Sequence, residues 1–358
     1  MKLLSVLLIS NLLLFVHPEV FSQSLENRID SILQEKYKSD APGAVFLVAK
    51  DGVPVYRKAF GKANIELNVD LNPEAVFQIG SMTKQFTAVA ILMLEEAGKL
   101  KVTDDITKFI PDYPTHGKKI TIHHLLSHTS GIKDFTRMKS IMSIAKKDLT
   151  PKELVDFFKN EPMDFEPGEK FQYNNSGYVL LGYIIELVSG MTYEDFIQNN
   201  IFVKADMKDS RYASDREVIT NRAYGYQQNG DILLNKMHIS FNIPYASGSL
   251  MSTAEDLLKW QNAINNNLLV SGKTIELAFT NYTLNSGEKI NYGYGWHLRE
   301  IDGFSDREHG GSIFGFKSMA VYVPEMDIYV VGLTNCDCNS PTQVTRDIAV
   351  LATNYFLK

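Results

Sequence analysis

From Phe86 to Leu94 the chain runs through residues that are almost all apolar and helix-compatible, ending at Gly98. A helix that is apolar all round must be buried, so whatever this chain folds into is built over that segment. Directly before it stand Gln78, Ile79, Gly80, Ser81, Met82, Thr83 and Lys84. Residues at i and i+3 share a helix face, so Lys84 brings its amine to the Ser81 hydroxyl if Ser81 opens the helix. The amino end of a helix leaves N–H groups unpaired and carries partial positive charge, which suits an oxyanion. A lysine in such an electropositive, apolar place holds its proton less firmly, and the neutral amine is a base. Ser-x-x-Lys also occurs at Ser130, Ser143 and Ser286, but only the Ser81 match leads into a long apolar helix. The bland alternative is a serine N-cap on a core helix.

The amino terminus reads as a signal peptide over residues 1–22. Met1 and Lys2 precede the apolar stretch Leu3 to Val16, too short to span a bilayer comfortably, and Val20, Phe21 and Ser22 precede a cut before Gln23. No cysteine near the cut offers a lipid attachment point. The expectation is an exported protein, periplasmic or secreted, soluble and without stable membrane insertion. Its remaining 23–358 form one globular unit, for which 44% hydrophobic and 22% charged residues are ordinary. A net charge of -6 argues against nucleic acid or an anionic membrane as partner. Cys336 and Cys338 are too few for a zinc site and read as two thiols at a strand end.

Ser24 to Lys38 has helical periodicity. Ala44–Lys50 and Val53–Phe60 read as strands joined by Asp51-Gly52, a strong hairpin signal. Ser318–Val323 and Ile328–Leu333 are strand-like again, and Thr342–Phe356 is a helix. The sheet region therefore covers about 23–100 and 240–358, with a mostly helical region inserted over about 101–239. In that insertion Thr121 caps a helix ending at Ser127, and His123, His124 and His128 read as histidines packing a turn, since the glutamate of a zinc helix is missing. Tyr173 and Asn175 precede the apolar helix Val179–Val188; a tyrosine and an amide there can relay a proton and hold a substrate amide. Further on, Ser252 and Glu255 have capping-box spacing, and Asn291–Trp296 reads as an aromatic strand. His309, Gly310, Gly311 and Ser312 form a His-x-Gly stretch whose glycines let backbone approach a peptide-like ligand.

Ser-x-x-Lys, Tyr-x-Asn and His-x-Gly, in this order and with these separations, resemble the class C β-lactamase and D-alanyl-D-alanine carboxypeptidase group of serine hydrolases, penicillin-binding proteins included. The likeness extends to Leu125–Gly131, Ser252–Leu257 and His309–Gly315 and covers almost the whole mature chain. The resemblance implies an α/β fold of α+β type: a mixed antiparallel sheet flanked by helices, with the site in the cleft beside the helical region. It implies Ser81 as acylated nucleophile, Lys84 assisting its deprotonation, Tyr173 as proton shuttle, Asn175 as a donor to substrate, and His309, Gly310, Gly311 and Ser312 as substrate-binding. The backbone N–H groups of Ser81 and Ser312 form the oxyanion hole. No metal and no cofactor is implied. These enzymes usually carry Lys-Thr-Gly as third motif; this chain has none, and its His309 offers a carboxylate less dependable charge than lysine. The expected function is an acyl-enzyme hydrolase of D-amino-acid peptides, small amides or esters, with a small-molecule or short-peptide substrate. The alternatives are a class C-like β-lactamase, acyl transfer, or a catalytically silent penicillin-binding sensor. Specificity is expected in Asp134–Lys147, Ser210–Asn242 and Thr280–Lys289; no oligomeric state is implied.

Overall fold

The structure is a computed structural model and describes residues 24–357. The expected signal peptide lies outside the described residues. Six strands form the main sheet: β1 (Ala44–Lys50), β2 (Val53–Phe60), β3 (His297–Ile301), β4 (Phe304–Ile313), β5 (Phe316–Val323) and β6 (Ile328–Thr334), in the order β3-β4-β5-β6-β1-β2. Every neighbouring pair is antiparallel. The β1–β2 hairpin turns at Asp51 (φ 52°) and Gly52 (φ 73°), two left-handed residues in succession, which is the turn that matches strand twist. β1 and β6 pair from Ala44 opposite Thr334 to Lys50 opposite Ile328, so the two ends of the chain meet in the sheet's middle.

Alternation along β1 explains why six of its seven residues are buried. Val45, Leu47 and Ala49 face one core, together with Phe86, Trp260, Val331 and Leu333. Ala44, Phe46 and Val48 face another, under Ile29 and Leu33 of the helix Leu25–Lys36 and Ile348 of the helix Thr342–Phe356. A strand buried on both faces needs an apolar residue at every buried position, which β1 carries from Ala44 to Ala49. The helix Thr83–Glu96 lies within the first core, buried at eleven positions from Thr83 to Leu94, with Phe86 stacked on Trp260 at a ring separation of 4.1 Å. The helix Asn175–Ser189 packs beside it and Pro151–Phe158 packs on Asn175–Ser189 in turn, and the stretch they belong to also carries a hairpin, Tyr226–Asn229 with Ile232–Asn235. Among the described residues no helix is long and apolar enough to cross a membrane.

Three expectations change. Asn291–Trp296 is not a strand: Asn291 (φ 52°) and Gly295 (φ 87°) break the extended path, so Tyr292, Tyr294 and Trp296 are buried on a winding loop and β3 starts at His297. The helix Ala254–Asn265 is capped by Thr253, whose hydroxyl accepts from the Asp256 N–H; Ser252 belongs to a short strand paired with Phe77–Gln78, and Glu255 is an ion-pair partner of Arg57. Cys336 and Cys338 are not thiols but bonded to each other. Beyond β6 the chain turns and brings their Cα atoms to 5.1 Å, inside the disulfide range and closer than the ~6.6 Å of i, i+2 neighbours in a strand.

Candidate active site

The chain reaches the site through the short strand Phe77–Gln78 and turns at Gly80, whose φ of +52° suits glycine. Ser81 lies in a single 3-10 turn, Gly80–Met82, that runs into the helix Thr83–Glu96. The Ser81 side is half-buried; Lys84, one turn on, is completely buried. Its Nζ stands 3.3 Å from Ser81 Oγ, 2.9 Å from Asn175 Oδ1 and 2.9 Å from the carbonyl oxygen of Ser247. Among the described residues this is the one Ser-x-x-Lys match of the four in which lysine and serine are hydrogen-bonded to each other.

These partners fix what the amine can do. The Asn175 amide donates its Nδ2 to Thr136 Oγ1 (3.1 Å) and to the Asp134 carboxylate (3.4 Å), so its oxygen points at Lys84. Asn175 Oδ1 and Ser247 O only accept, and together they occupy the two N–H groups of a neutral amine. The remaining lone pair is left for the Ser81 hydroxyl proton. Burial brings the Lys84 pKa down to about 7, against the opposing pull of the Asp134 carboxylate. The rings of Tyr173 and Tyr178 lie 4.7 and 5.4 Å from Nζ.

Tyr173 precedes Asn174, and the two asparagines divide the work: Asn174 caps the helix Asn175–Ser189 by accepting from the Gly177 N–H at 2.8 Å, which frees Asn175 to face Lys84. The Tyr173 hydroxyl is buried and has no hydrogen-bond partner among the described residues. Burial pushes its phenol well up, although the nearby Ser81 hydroxyl favours the ionised form. The resting phenol is therefore protonated when the lysine is half neutral.

Behind Tyr173 runs a chain of buried groups with a single direction. His128 Nδ1 accepts from the Asn174 backbone N–H (3.1 Å), so a neutral His128 carries its proton on Nε2 and offers it to Tyr292 Oη at 3.2 Å. At the other end, His309 Nδ1 lies 2.6 Å from the Gly310 carbonyl, which only accepts, so His309 is protonated there and its bare Nε2 accepts from Tyr292 at 3.2 Å. Both assignments meet consistently at one tyrosine. Burial, with His297 and Lys84 nearby, holds His309 well below the usual histidine range, and burial does the same to His128. His309 is thus a neutral, buried group.

β4 is laid directly on the Ser81 turn. A Cβ on Gly311 would come within 2.0 Å of the Ile79 carbonyl, and one on Gly80 within 2.9 Å of the Ser312 nitrogen. Glycine at both positions is what lets the Ser81 and Ser312 backbones adjoin. The structure therefore brings Ser81, Lys84, Tyr173, Asn175, Gly311 and Ser312 to one place, with His309 reaching it through Tyr173, at a ring separation of 6.0 Å, and Gly310 through His309. Ser247, His128 and Tyr292 are not among the expected site residues, and Asp134, the first residue of an expected specificity stretch, instead accepts from the Asn175 amide. His128 stood in the quoted Leu125–Gly131 stretch; the Ser247 contact is a backbone carbonyl and leaves no mark in a sequence. His124 instead closes the capping box at Thr121 and His123 bonds Tyr294, so the three histidines serve three purposes.

A cavity of about 440 Å³ opens over Ser81. Its apolar lining comes largely from Phe135, Ile141, Met142, Ile239, Ile243 and Phe314, which includes residues of the first two expected specificity stretches. Thr280–Lys289 lines none of it among the described residues; there Asn285 packs on Gly168.

The family model for Beta-lactamase matches residues 26–354. Over 267 residues the chain is 35% identical to Penicillin-binding protein 4* of Bacillus subtilis (strain 168), covering 71% of this chain and 59% of that protein. The chain thus spans about three fifths of the length of the curated relatives it matches. Among solved structures, the octameric penicillin-binding protein homologue from Pyrococcus abyssi superposes with a TM-score of 0.80 at 32% identity, over 91% of this chain and 77% of that one. The D-amino acid amidase from Ochrobactrum anthropi SV3 complexed with L-phenylalanine amide does so with a TM-score of 0.79 at 25% identity, over 92% and 97%. The fold is the one these proteins share, as the three motifs implied.

Proposed function

The chain belongs to the Beta-lactamase family, and from that premise we propose that it is a serine hydrolase that passes through an acyl-enzyme on Ser81 and acts on D-amino-acid peptides, small amides or esters. The observation that carries this reading is the Lys84 amine, buried, brought to a pKa of about 7 and hydrogen-bonded to Ser81. Ser81 Oγ adds to the substrate carbonyl as its proton passes to Lys84, and the oxyanion is held by the Ser81 and Ser312 N–H groups. Tyr173 then gives its proton to the leaving nitrogen or oxygen and recovers one from Lys84. Water, deprotonated through the same pair, releases the acid. Preorganised oxyanion donors of this kind are worth roughly 3 to 4 kcal/mol each.

His309 supports the choice among substrates. A neutral, buried histidine in the third motif, with no lysine or arginine among the described residues lining the cavity, favours substrates not anchored by a carboxylate. The D-amino acid amidase among the structural relatives agrees with the amide side of this reading. Export with cleavage after Ser22 is part of the proposal, and an exported product beginning at Gln23 checks it by mass.

The test is intact-protein mass after incubation with a fluorophosphonate and, separately, a penicillin, for wild type and Ser81→Ala. A Ser81-dependent fluorophosphonate adduct is expected. An adduct that persists in Ser81→Ala removes the assignment. With penicillin, a stable adduct marks penicillin binding, and rapid decay of an adduct marks β-lactamase turnover.

A further inference from the structure

Asp337 is the one charged side chain among the described residues that line the Ser81 cavity. It sits between the bonded Cys336 and Cys338, on a turn stitched to the hairpin Tyr226–Asn235: its backbone N–H donates to the Tyr226 carbonyl at 3.1 Å, and the Tyr226 N–H donates to the Asn335 carbonyl at 2.9 Å. The carboxylate is held as well. Oδ2 accepts from Gln227 Nε2 at 3.0 Å and Oδ1 from the Gln228 N–H at 3.4 Å. Gln227 is fixed in turn, because its Oε1 accepts from the Met237 N–H at 2.6 Å, which turns its NH2 toward Asp337. All of these donors are neutral, and no cationic side chain among the described residues pairs with Asp337.

A held, half-buried carboxylate facing an apolar cavity is an incomplete ion pair. Phe135, Ile141 and Met142 line the same cavity and carry no group that could pair with its charge. Attraction to a cation is strongest where water is partly excluded, and a carboxylate already fixed by its neighbours loses little freedom on binding one. The geometry points to Asp337 as the anchor of a substrate ammonium group. The substrate class is then an amide or ester that carries a free primary amine and an apolar side chain, with its carbonyl at Ser81. This rests on the acyl-enzyme reading above and narrows it. The lining of the cavity agrees, since it carries no lysine or arginine to anchor a carboxylate while Asp337 provides an anchor for an amine.

The experiment reads protection, so no substrate has to be known. The rate of fluorophosphonate labelling of Ser81 is measured at pH 6.5 against increasing phenylalanine amide or N-acetylphenylalanine amide, each enantiomer separately, in wild type and Asp337→Asn, each normalised to its own unprotected rate. Phenylalanine amide should protect wild type at a concentration about tenfold lower than its acetylated counterpart, and added salt should narrow the gap. In Asp337→Asn the two should fall within about twofold of each other. Equal protection of wild type by both compounds, protection by neither, or a gap that survives in Asp337→Asn overturns the assignment. The wild-type comparison and its salt dependence decide the matter even if Asp337→Asn does not fold. Failure of wild type to label at all strikes the acyl-enzyme reading instead, so the two fail separately.

Discussion

The wall behind Ser81 is buried and the rim in front of it is partly exposed, and the two are held differently. In the wall, Lys84, Asn175, His128, Tyr292 and His309 have their polar atoms committed to named partners, and the direction of nearly every hydrogen bond follows from a group that can only donate or only accept. In the rim, Ile141, Met142, Ile239 and Phe314 face the cavity through hydrocarbon, with Asp337 as the charged exception. Hydrogen-bonded networks tolerate little change, because a partner removed leaves a buried group unpaired. Apolar contacts exchange volume for volume at small cost. The proposed mechanism thus lodges chemistry in the part of the site that resists substitution, and selectivity in the part that accepts it.

The largest break in that contrast should come from Lys84→Met, which keeps the volume and removes the base. Fluorophosphonate labelling should slow by about 10³-fold or more while the fold persists. In wild type, kcat/KM should rise with pH through about 7, as the neutral amine appears. The same depressed pKa makes the unfolded chain the better proton binder between about pH 7 and 10, so wild-type stability should rise with pH across that window and Lys84→Met should lose that slope. A rate profile flat between pH 6 and 8 removes Lys84 as the base.

Tyr292→Phe cuts the wall's network without touching Ser81 or Lys84. It leaves the facing nitrogens of His128 and His309 unpaired and should lower stability by about 1 to 3 kcal/mol, read by denaturant unfolding. If Tyr292 positions His309, kcat/KM should also fall by about tenfold with an altered pH profile; a stability loss with an unchanged profile makes its role structural only.

Asp306, on β4, serves as a control away from both regions. Burial beside Glu308 pushes its carboxyl up to about 7, offset in part by Arg346 and Arg299. A folded pKa above the unfolded one means that stability falls as pH rises from about 4 to 7 and stays reduced above that. Asp306→Asn should therefore gain about 1 to 2 kcal/mol at pH 8, discounted for those two arginines, and little at pH 4, with labelling of Ser81 unaffected. The smallest effect is expected at the rim, where Met142→Ala should raise KM for apolar substrates a few-fold, about 1 kcal/mol or less, and leave kcat alone.

Much of this was legible in the chain because it is local. The i, i+3 spacing of Ser81 and Lys84, the Asp51-Gly52 turn, the Thr121 cap and the helix Thr342–Phe356 each depend on neighbours a few residues apart. The same local reading misjudged Asn291–Trp296, where alternating aromatics imitate a strand but two positive φ angles break it, and Cys336–Cys338, where a turn past β6 does what a strand end would not. The Ser247 carbonyl beside Lys84 and the link from His128 to Tyr292, 164 residues apart, have no local signature at all.

By itself, then, the sequence determined which groups the chemistry has available and their order along the chain, since periodicity and spacing place side chains on a face within one element. Only the tertiary structure decided how far these groups are shifted and what surrounds them: that Lys84 is completely buried with its pKa brought down to about 7, that His309 is buried and uncharged, and that Asp337 shares a cavity with Ser81. Burial and distant hydrogen bonds set a group's charge, and both are properties of packed segments that no stretch of chain carries alone.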